Sequence, residues 1–284
     1  MAIPLNLKKC PICESANSLE WSINTNFLEC SMCKSVWLEK KAKSTYDKDY
    51  YDRGSKSWLM KVVDIFSFWD RYYTLNLSKS DRILEIGFGE GKFLKELMSR
   101  KYNVAGVEQS EYARDKMKKI LGSENVFGDI GKVLGKFEVV VMYHVLEHIQ
   151  EPKEYLKKIM RILTPGGRLI VRVPNIDSLE ARLAGPNWYH LDFPNHQILF
   201  GEVGLVKMFE DVGYKDIKSR NYFGEYRQVL GYSILTKLGI KLSKPLMIIY
   251  QLLTIPILWI FSVLVVQHGV IEVEGKVGSS SNST

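Results

Sequence analysis

Residues Ile83 to Gly91 read ILEIGFGEG, and the fold of the chain is decided there. Arg82–Ile86 is a short apolar run with the composition of a buried strand. Glycines follow at 87, 89 and 91. Without a Cβ they let the backbone turn sharply and let a ligand approach it closely. Lys92–Arg100 then takes up helical spacing, and the first turn of such a helix offers unsatisfied N–H groups. Strand, glycine loop and helix in this order form a nucleotide-type site at the edge of an α/β sheet.

Outward from this loop the pattern repeats. Strands are predicted at Asn103–Val107, Asn125–Phe127, Phe137–Met142, Arg168–Val173 and Tyr214–Tyr222, with helices at Glu111–Leu121, Pro152–Leu163 and Gly201–Val212. The unbroken apolar run at 137–142 suits a central strand buried on both faces. Thr-Pro-Gly-Gly at 164–167 reads as a stop and a turn. Repeated β-α units predict a doubly wound, mainly parallel, Rossmann-like α/β sheet.

Spacing narrows the ligand. A dinucleotide fingerprint G-x-G-x-x-G needs glycine at 92, which is Lys here; the third glycine is at 91. Glu85, two residues before the loop, would repel a pyrophosphate but suits the ammonium of a methionine moiety. Glu108 ends the second strand, where a carboxylate can accept from both ribose hydroxyls. Asp129 follows the third strand and is placed for an adenine amino group, with Ile130 against the ring. These acids, in register at successive strands, point to S-adenosylmethionine.

With ILEIGFGEG, VAGVEQS (104–110), GDI (128–130), FEVVVMYHVLEHIQEP (137–152) and LTPGGRLIVRVPN (163–175) in view, the chain resembles class I S-adenosylmethionine-dependent methyltransferases. Within them it is similar to the group that includes ubiquinone-biosynthesis O-methyltransferases. The resemblance covers about 81–222 and departs at Phe88, where that group carries a smaller residue. It implies a cofactor set of Glu85, Gly87, Gly89, Gly91, Glu108, Gln109, Asp129, Ile130 and Tyr143.

Transfer from a sulfonium needs proximity and orientation first, and a base if the acceptor is a hydroxyl. Four of the five histidines fall near the predicted sheet's mouth: His144 and His148 after the fourth strand, His190 and His196 after the fifth. GPNWYHLDFPNHQILF (185–200) resembles the group's acceptor-side loop, which makes His196 the first candidate for base or acceptor orienter and His144 the second. His144-Val145-Leu146-Glu147-His148 also fits the H-x-x-E-H pattern of a zinc protease, although the methyltransferase reading already accounts for its position. Some ubiquinone-pathway relatives carry Glu-x-x-Glu-His there, associated with a divalent metal. This chain has His144 for the first Glu.

All four cysteines fall in two pairs, Cys10/Cys13 and Cys30/Cys33, with sixteen residues between the pairs. Two C-x-x-C knuckles at this distance predict a structural Zn2+ site; a disulfide framework would leave a different pattern. A module this small needs the metal for much of its folding energy.

The sequence thus divides into a zinc-ribbon-like module (1–45), a helical linker (46–80), a cofactor-binding core (81–225), an apolar helical insertion (226–268), a final strand (269–277) and a polar tail (278–284). Leu246 to Val266 carries no charge and is long enough to span a bilayer, while lysines precede it at 237, 241 and 244. A buried helical insertion and a membrane-associated segment are both open. The N-terminus has no apolar core for secretion, so a cytoplasmic home is expected, peripheral at the inner membrane face if 246–266 meets lipid.

With a net charge of +7, an anionic partner is possible, but the basic residues are scattered and name none. The expected function is methyl transfer to a small or lipid-linked acceptor, at an oxygen of a sugar or quinol. The alternatives are an RNA methyltransferase using the ribbon and aromatics such as Trp188 and Tyr189, and a non-catalytic cofactor-binding module. The former lacks an Asn/Asp-Pro-Pro-Tyr motif, and the latter would require a damaged glycine loop.

Overall fold

The computed structural model describes residues 8–24, 26–39, 68–222, 235–240 and 269–278. The apolar segment 246–266 and most of the predicted linker lie outside the described residues.

At the centre, β4 (Arg82–Ile86) pairs in parallel with β5 (Asn103–Val107) on one side and β7 (Phe137–Tyr143) on the other. The two-residue β6 (Val126–Phe127) extends the sheet beyond β5, and β8 (Leu163–Pro174) extends it beyond β7. The predicted final strand is β11 (Val270–Lys276), which enters antiparallel between β8 and β10 (Lys215–Tyr222). The order is β10-β11-β8-β7-β4-β5-β6, and β11 alone runs against the rest.

Alternation along the buried strands feeds two cores, as expected of a sheet covered on both faces. Ile83, Val104, Val139 and Val141 pack under α1 (Lys92–Ser99), α2 (Glu111–Leu121) and the helical residues 68–75. Leu84, Val107, Val140 and Met142 pack under α3 (Pro152–Ile162) and α5 (Glu202–Val212), counting the short α4 (Leu179–Ala184) between them. Phe88, the departure from the group's pattern, is buried in the first of these cores against Gly106.

One prediction is refined. Thr164 to Gly167 does turn, bulging out between the Phe137–Leu163 and Val139–Arg168 pairings with Gly166 left-handed at φ of +77°, but the bulge lies inside β8, which starts at Leu163. The reason lies in β11: Gly166 N–H donates to the Val277 carbonyl and Val277 N–H to the Gly167 carbonyl, which draws the glycine pair into the ladder. A partner 110 residues away cannot be read from the local turn signal.

Arg172 of β8 is fully buried and ion-paired to Glu272 of β11, which also binds Arg220 of β10. Its other arm reaches Asp70 at 3.2 Å, fastening the helical residues 68–75 to the sheet. Such a pair holds only while both members are present, since an unpaired buried charge is costly.

The four cysteines head a second, antiparallel sheet: β1 (Ser18–Glu20), β2 (Phe27–Cys30), β3 (Val36–Leu38) and then β9 (Ile198–Leu199) from the far side of the main sheet. The module is therefore joined to the core by a strand pair. It also sits tightly on the start of α5, where a Cβ at Gly204 would fall 2.5 Å from Ser35 Oγ and 3.1 Å from Cys33 Sγ. Gly204→Ala should therefore destabilise the protein by about 1–3 kcal/mol despite the better helix propensity of alanine. Urea denaturation of the two proteins checks this; an equal or higher midpoint for the variant contradicts the contact.

Candidate active site

The parallel strands deliver their loops to one edge, and the glycine loop sits at the end of the central one. Gly87, Gly89 and Gly91 all have left-handed backbone, at φ of +74°, +53° and +66°. A Cβ at 87 would strike Val145 at 2.2 Å and one at 91 would strike Met117 at 1.6 Å, whereas at 89 nothing lies within 4 Å. Two of the glycines are thus fixed by packing as well as by conformation, and Gly89 presents bare backbone.

Glu108 ties the loop to β5: Oε2 accepts from Gly89 N–H and Oε1 from Ser110 N–H, each at 2.9 Å. A carboxylate oxygen can accept more than once, so the ribose role remains chemically available. Glu85 is buried, its Oε2 has no hydrogen-bond partner among the described residues, and burial pushes its pKa up to about 8. The Arg71 charge works against that rise and Glu108 adds to it. The Tyr143 hydroxyl is also buried without a partner, and burial raises its pKa as well.

Gln109 is exposed just past Glu108. Asp129, also exposed, caps the turn after β6 by accepting from Gly131 N–H at 2.7 Å, and Ile130 is buried beneath it. The donor set fits S-adenosylmethionine: a buried carboxyl with one oxygen unpartnered among the described residues for an ammonium, a second acid for a ribose diol, a third for an adenine amino group. Sequence reasoning missed Arg71, whose guanidinium lies 4.5 Å from the Tyr143 ring centre and whose charge reaches Glu85. No local motif marks it, because the contact arises only when the helical residues 68–75 dock.

The predicted histidines do converge. His144 and His190 stack with ring centres 6.0 Å apart, and those of His148 and His196 are 4.7 Å apart. His144 holds a left-handed φ of +55°, uncommon outside glycine, with its N–H donating to the Arg172 carbonyl. His196 is buried with Nδ1 2.6 Å from the His190 carbonyl, and His148 Nδ1 lies 2.9 Å from that of Asn195. A carbonyl can only accept, so in both rings Nδ1 is the donor. Burial lowers the His196 pKa, opposed by the charge of Glu147.

Glu147 itself is fully buried, and His144 Nδ1 approaches its Oε1 to 3.4 Å. Burial would raise its pKa, but the surrounding His144, His148 and His196 outweigh that and hold it near about 2. Glu147, His148 and His196 offer ligand atoms within 4.8 Å of one another, a set able to hold a divalent ion.

The cysteines also meet. Cys10 Sγ lies 3.7 Å from Cys33 Sγ and Cys13 Sγ 3.5 Å from Cys30 Sγ, all four within 4.8 Å. Sulfurs around a tetrahedral zinc at about 2.3 Å stand about 3.8 Å apart, so the donors fit that ion. The two knuckles share one design: Glu14 and Lys34, next after the second cysteine of each pair, are both left-handed and donate N–H to the Cys10 and Cys30 carbonyls.

A glycine-looped parallel sheet with this acid set defines a class I S-adenosylmethionine-dependent methyltransferase fold. The chain belongs to the methyltransferase-domain family, whose model matches residues 63–219. Among curated relatives, an uncharacterized protein of Methanocaldococcus jannaschii is 24% identical over 141 residues, 49% of this chain and 66% of that one. The mitochondrial ubiquinone biosynthesis O-methyltransferase of Schizosaccharomyces pombe is 27% identical over 150 residues, 45% and 54% of the two chains. This chain thus spans about two thirds or less of the relatives it matches. A solved structure of Haemonchus contortus phosphoethanolamine N-methyltransferase 2 with S-adenosyl-L-methionine superposes at a TM-score of 0.50 and 16% identity, covering 83% of this chain and 61% of that one. These structural likenesses concern the fold.

The Glu85 carboxyl gives a pH prediction. Below about 8 it is largely protonated, and pairing with an ammonium requires the carboxylate, so binding should release a proton. Affinity for S-adenosylhomocysteine should climb from pH 6 toward 8 and then level. Titration calorimetry in buffers of different ionisation enthalpy checks the release, and Glu85→Gln should abolish it; a wild-type heat independent of buffer contradicts the pairing.

Proposed function

We propose that the chain transfers a methyl group from S-adenosylmethionine to an oxygen of a small-molecule or lipid-linked acceptor, sugar- or quinol-like in chemistry. The observation that carries this reading is the pairing of two sites at one sheet edge: the glycine loop with its unpartnered Glu85 Oε2, and the histidine cluster that follows β7. When bound, the cofactor supplies an electrophilic methyl on a sulfonium that is already a good leaving group.

In this reading Glu85, Glu108 and Asp129 fix the cofactor and leave the acceptor side to the histidines. His196, kept from charging by burial and with its tautomer set by the His190 carbonyl, accepts the acceptor hydroxyl's proton on Nε2, and the buried charge of Glu147 stabilises the imidazolium. His144, held at the end of β7, orients the acceptor. The printed name of the Schizosaccharomyces pombe relative supports an oxygen acceptor. Zn2+ in the four-cysteine site, and contact of 246–266 with the inner face of the cell membrane, belong to the same proposal; the latter segment lies outside the described residues.

A second reading is favoured by the close donors of Glu147, His148 and His196: a divalent ion there would take the acceptor oxygen directly. Manganese binding to the full chain that Glu147→Gln abolishes would select it.

Methyl-labelled cofactor offered with separate lipid, small-metabolite and RNA fractions tests the main proposal. Label should enter the lipid or small-metabolite fraction; label in RNA alone overturns it. His196→Ala should lower turnover about 10²–10⁴-fold while leaving the affinity for S-adenosylhomocysteine unchanged.

A further inference from the structure

We propose that the four-cysteine module is a positioning element for the acceptor-side histidines: its metal holds the hairpin whose return strand keeps 195–199 in register. The proposal rests on reading Cys10, Cys13, Cys30 and Cys33 as a metal site and on placing the acceptor at His196.

The connection can be followed bond by bond. The second knuckle, Cys30 to Ser35, is itself the turn between β2 and β3, closed by Cys30 N–H donating to the Ser35 carbonyl. Metal bound through Cys30 and Cys33 therefore fixes the chain three residues before Val36, where β3 and its pairing begin. That strand then lies antiparallel to β9, with Val36 opposite Leu199 and Trp37 opposite Ile198. Leu38 N–H donates to the Gln197 carbonyl at 2.9 Å, and Gln197 N–H passes the connection to the Glu147 carbonyl at 2.8 Å. Beyond β9, the Ser35 hydroxyl accepts from Gly201 N–H at 3.1 Å.

His196 thus stands two residues before β9, the strand that the module pairs with, and the Glu147 carbonyl accepts from the intervening Gln197. A strand of two residues has little stability of its own. Among the described residues its other backbone support is the Gln197 bond to Glu147 and the bridge between Asn175 and Phe200. Side chains close the same seam. Trp21, Phe27, Val36 and Leu38 of the module share one core with Trp188 and Leu199, and Phe193 meets the Phe27 ring edge-on at 5.7 Å. The cofactor loop takes no part in this core; Cys10, Ile12, Cys30, Cys33 and Trp37 also join the larger core behind β4 and β5, but the backbone pairing of the module reaches the acceptor half.

Hydrogen exchange of the full chain, followed peptide by peptide, tests the link beside metal analysis and S-adenosylhomocysteine titration. Removing the metal with a chelator should speed exchange of the 195–201 amides about tenfold or more, and zinc added back should restore it. Affinity for S-adenosylhomocysteine should stay within about twofold. Leu38→Pro deletes the donor to Gln197 and should reproduce the faster exchange with the metal still bound; Ser35→Ala, which keeps the strand, should give a smaller rise confined to Gly201. Unchanged exchange at 195–201 after metal loss, or cofactor affinity lost in step with the metal, overturns the proposal. A native protein with no metal refutes the metal reading by itself, and Leu38→Pro then decides the strand link: unaltered exchange refutes that too.

Discussion

The backbone pairing of β4 with a neighbour on each side sets Ile86, Val107 and Met142 at one level, and the chemistry of the chain hangs from that line. Each strand ends there, so Gly87, Glu108 and His144 emerge within a few residues of their pairings. A parallel sheet forces this arrangement, because its crossover helices return every strand to the same starting edge. The polar groups at that edge are kept dry by the two cores behind them. Burial is what makes Glu85 an unusual carboxyl and His196 an unusual imidazole, one held neutral by the loss of solvent and the other kept from charging.

The two halves of the site are built differently. The cofactor half is made of backbone: three glycines in left-handed conformations, an acid that accepts from Gly89 N–H and a helix start. It can be rigid at small cost because the geometry is local. The half proposed for the acceptor is made of side chains from the segment after β7 and the loop before β9, the latter tied by strand pairing to the N-terminal module. Its shape depends on segments that meet only in the finished fold.

That contrast explains what the sequence could and could not reveal. The glycine loop was legible because only glycine serves where φ is positive and Val145 and Met117 crowd the backbone, so the constraint is written as residue type. The acids at 85 and 108 were legible by their fixed offsets from strand ends. The left-handed backbone at His144 was not, since histidine does not advertise it, and Arg71 was hidden because its neighbours come from elsewhere in the chain. The extension of β8 through Thr164–Gly167 was hidden for the same reason: the turn residues behave as a strand only when β11 supplies hydrogen bonds. The cysteine spacing predicted a metal module, but a two-residue strand at 198–199 gives no periodic signal that could have placed its partner.

The buried Arg172–Glu272 pair bears on how the protein comes to exist. A ribosome delivers Arg172 a hundred residues before the carboxylate that neutralises it. Throughout that interval β8 lacks its neighbour, and β10, already made, cannot dock beside it because β11 belongs between them. The nascent sheet therefore has an open edge, and its guanidinium has Asp70 but not Glu272, until β11 is released. Synthesis order makes the closing strand the step that commits the whole domain.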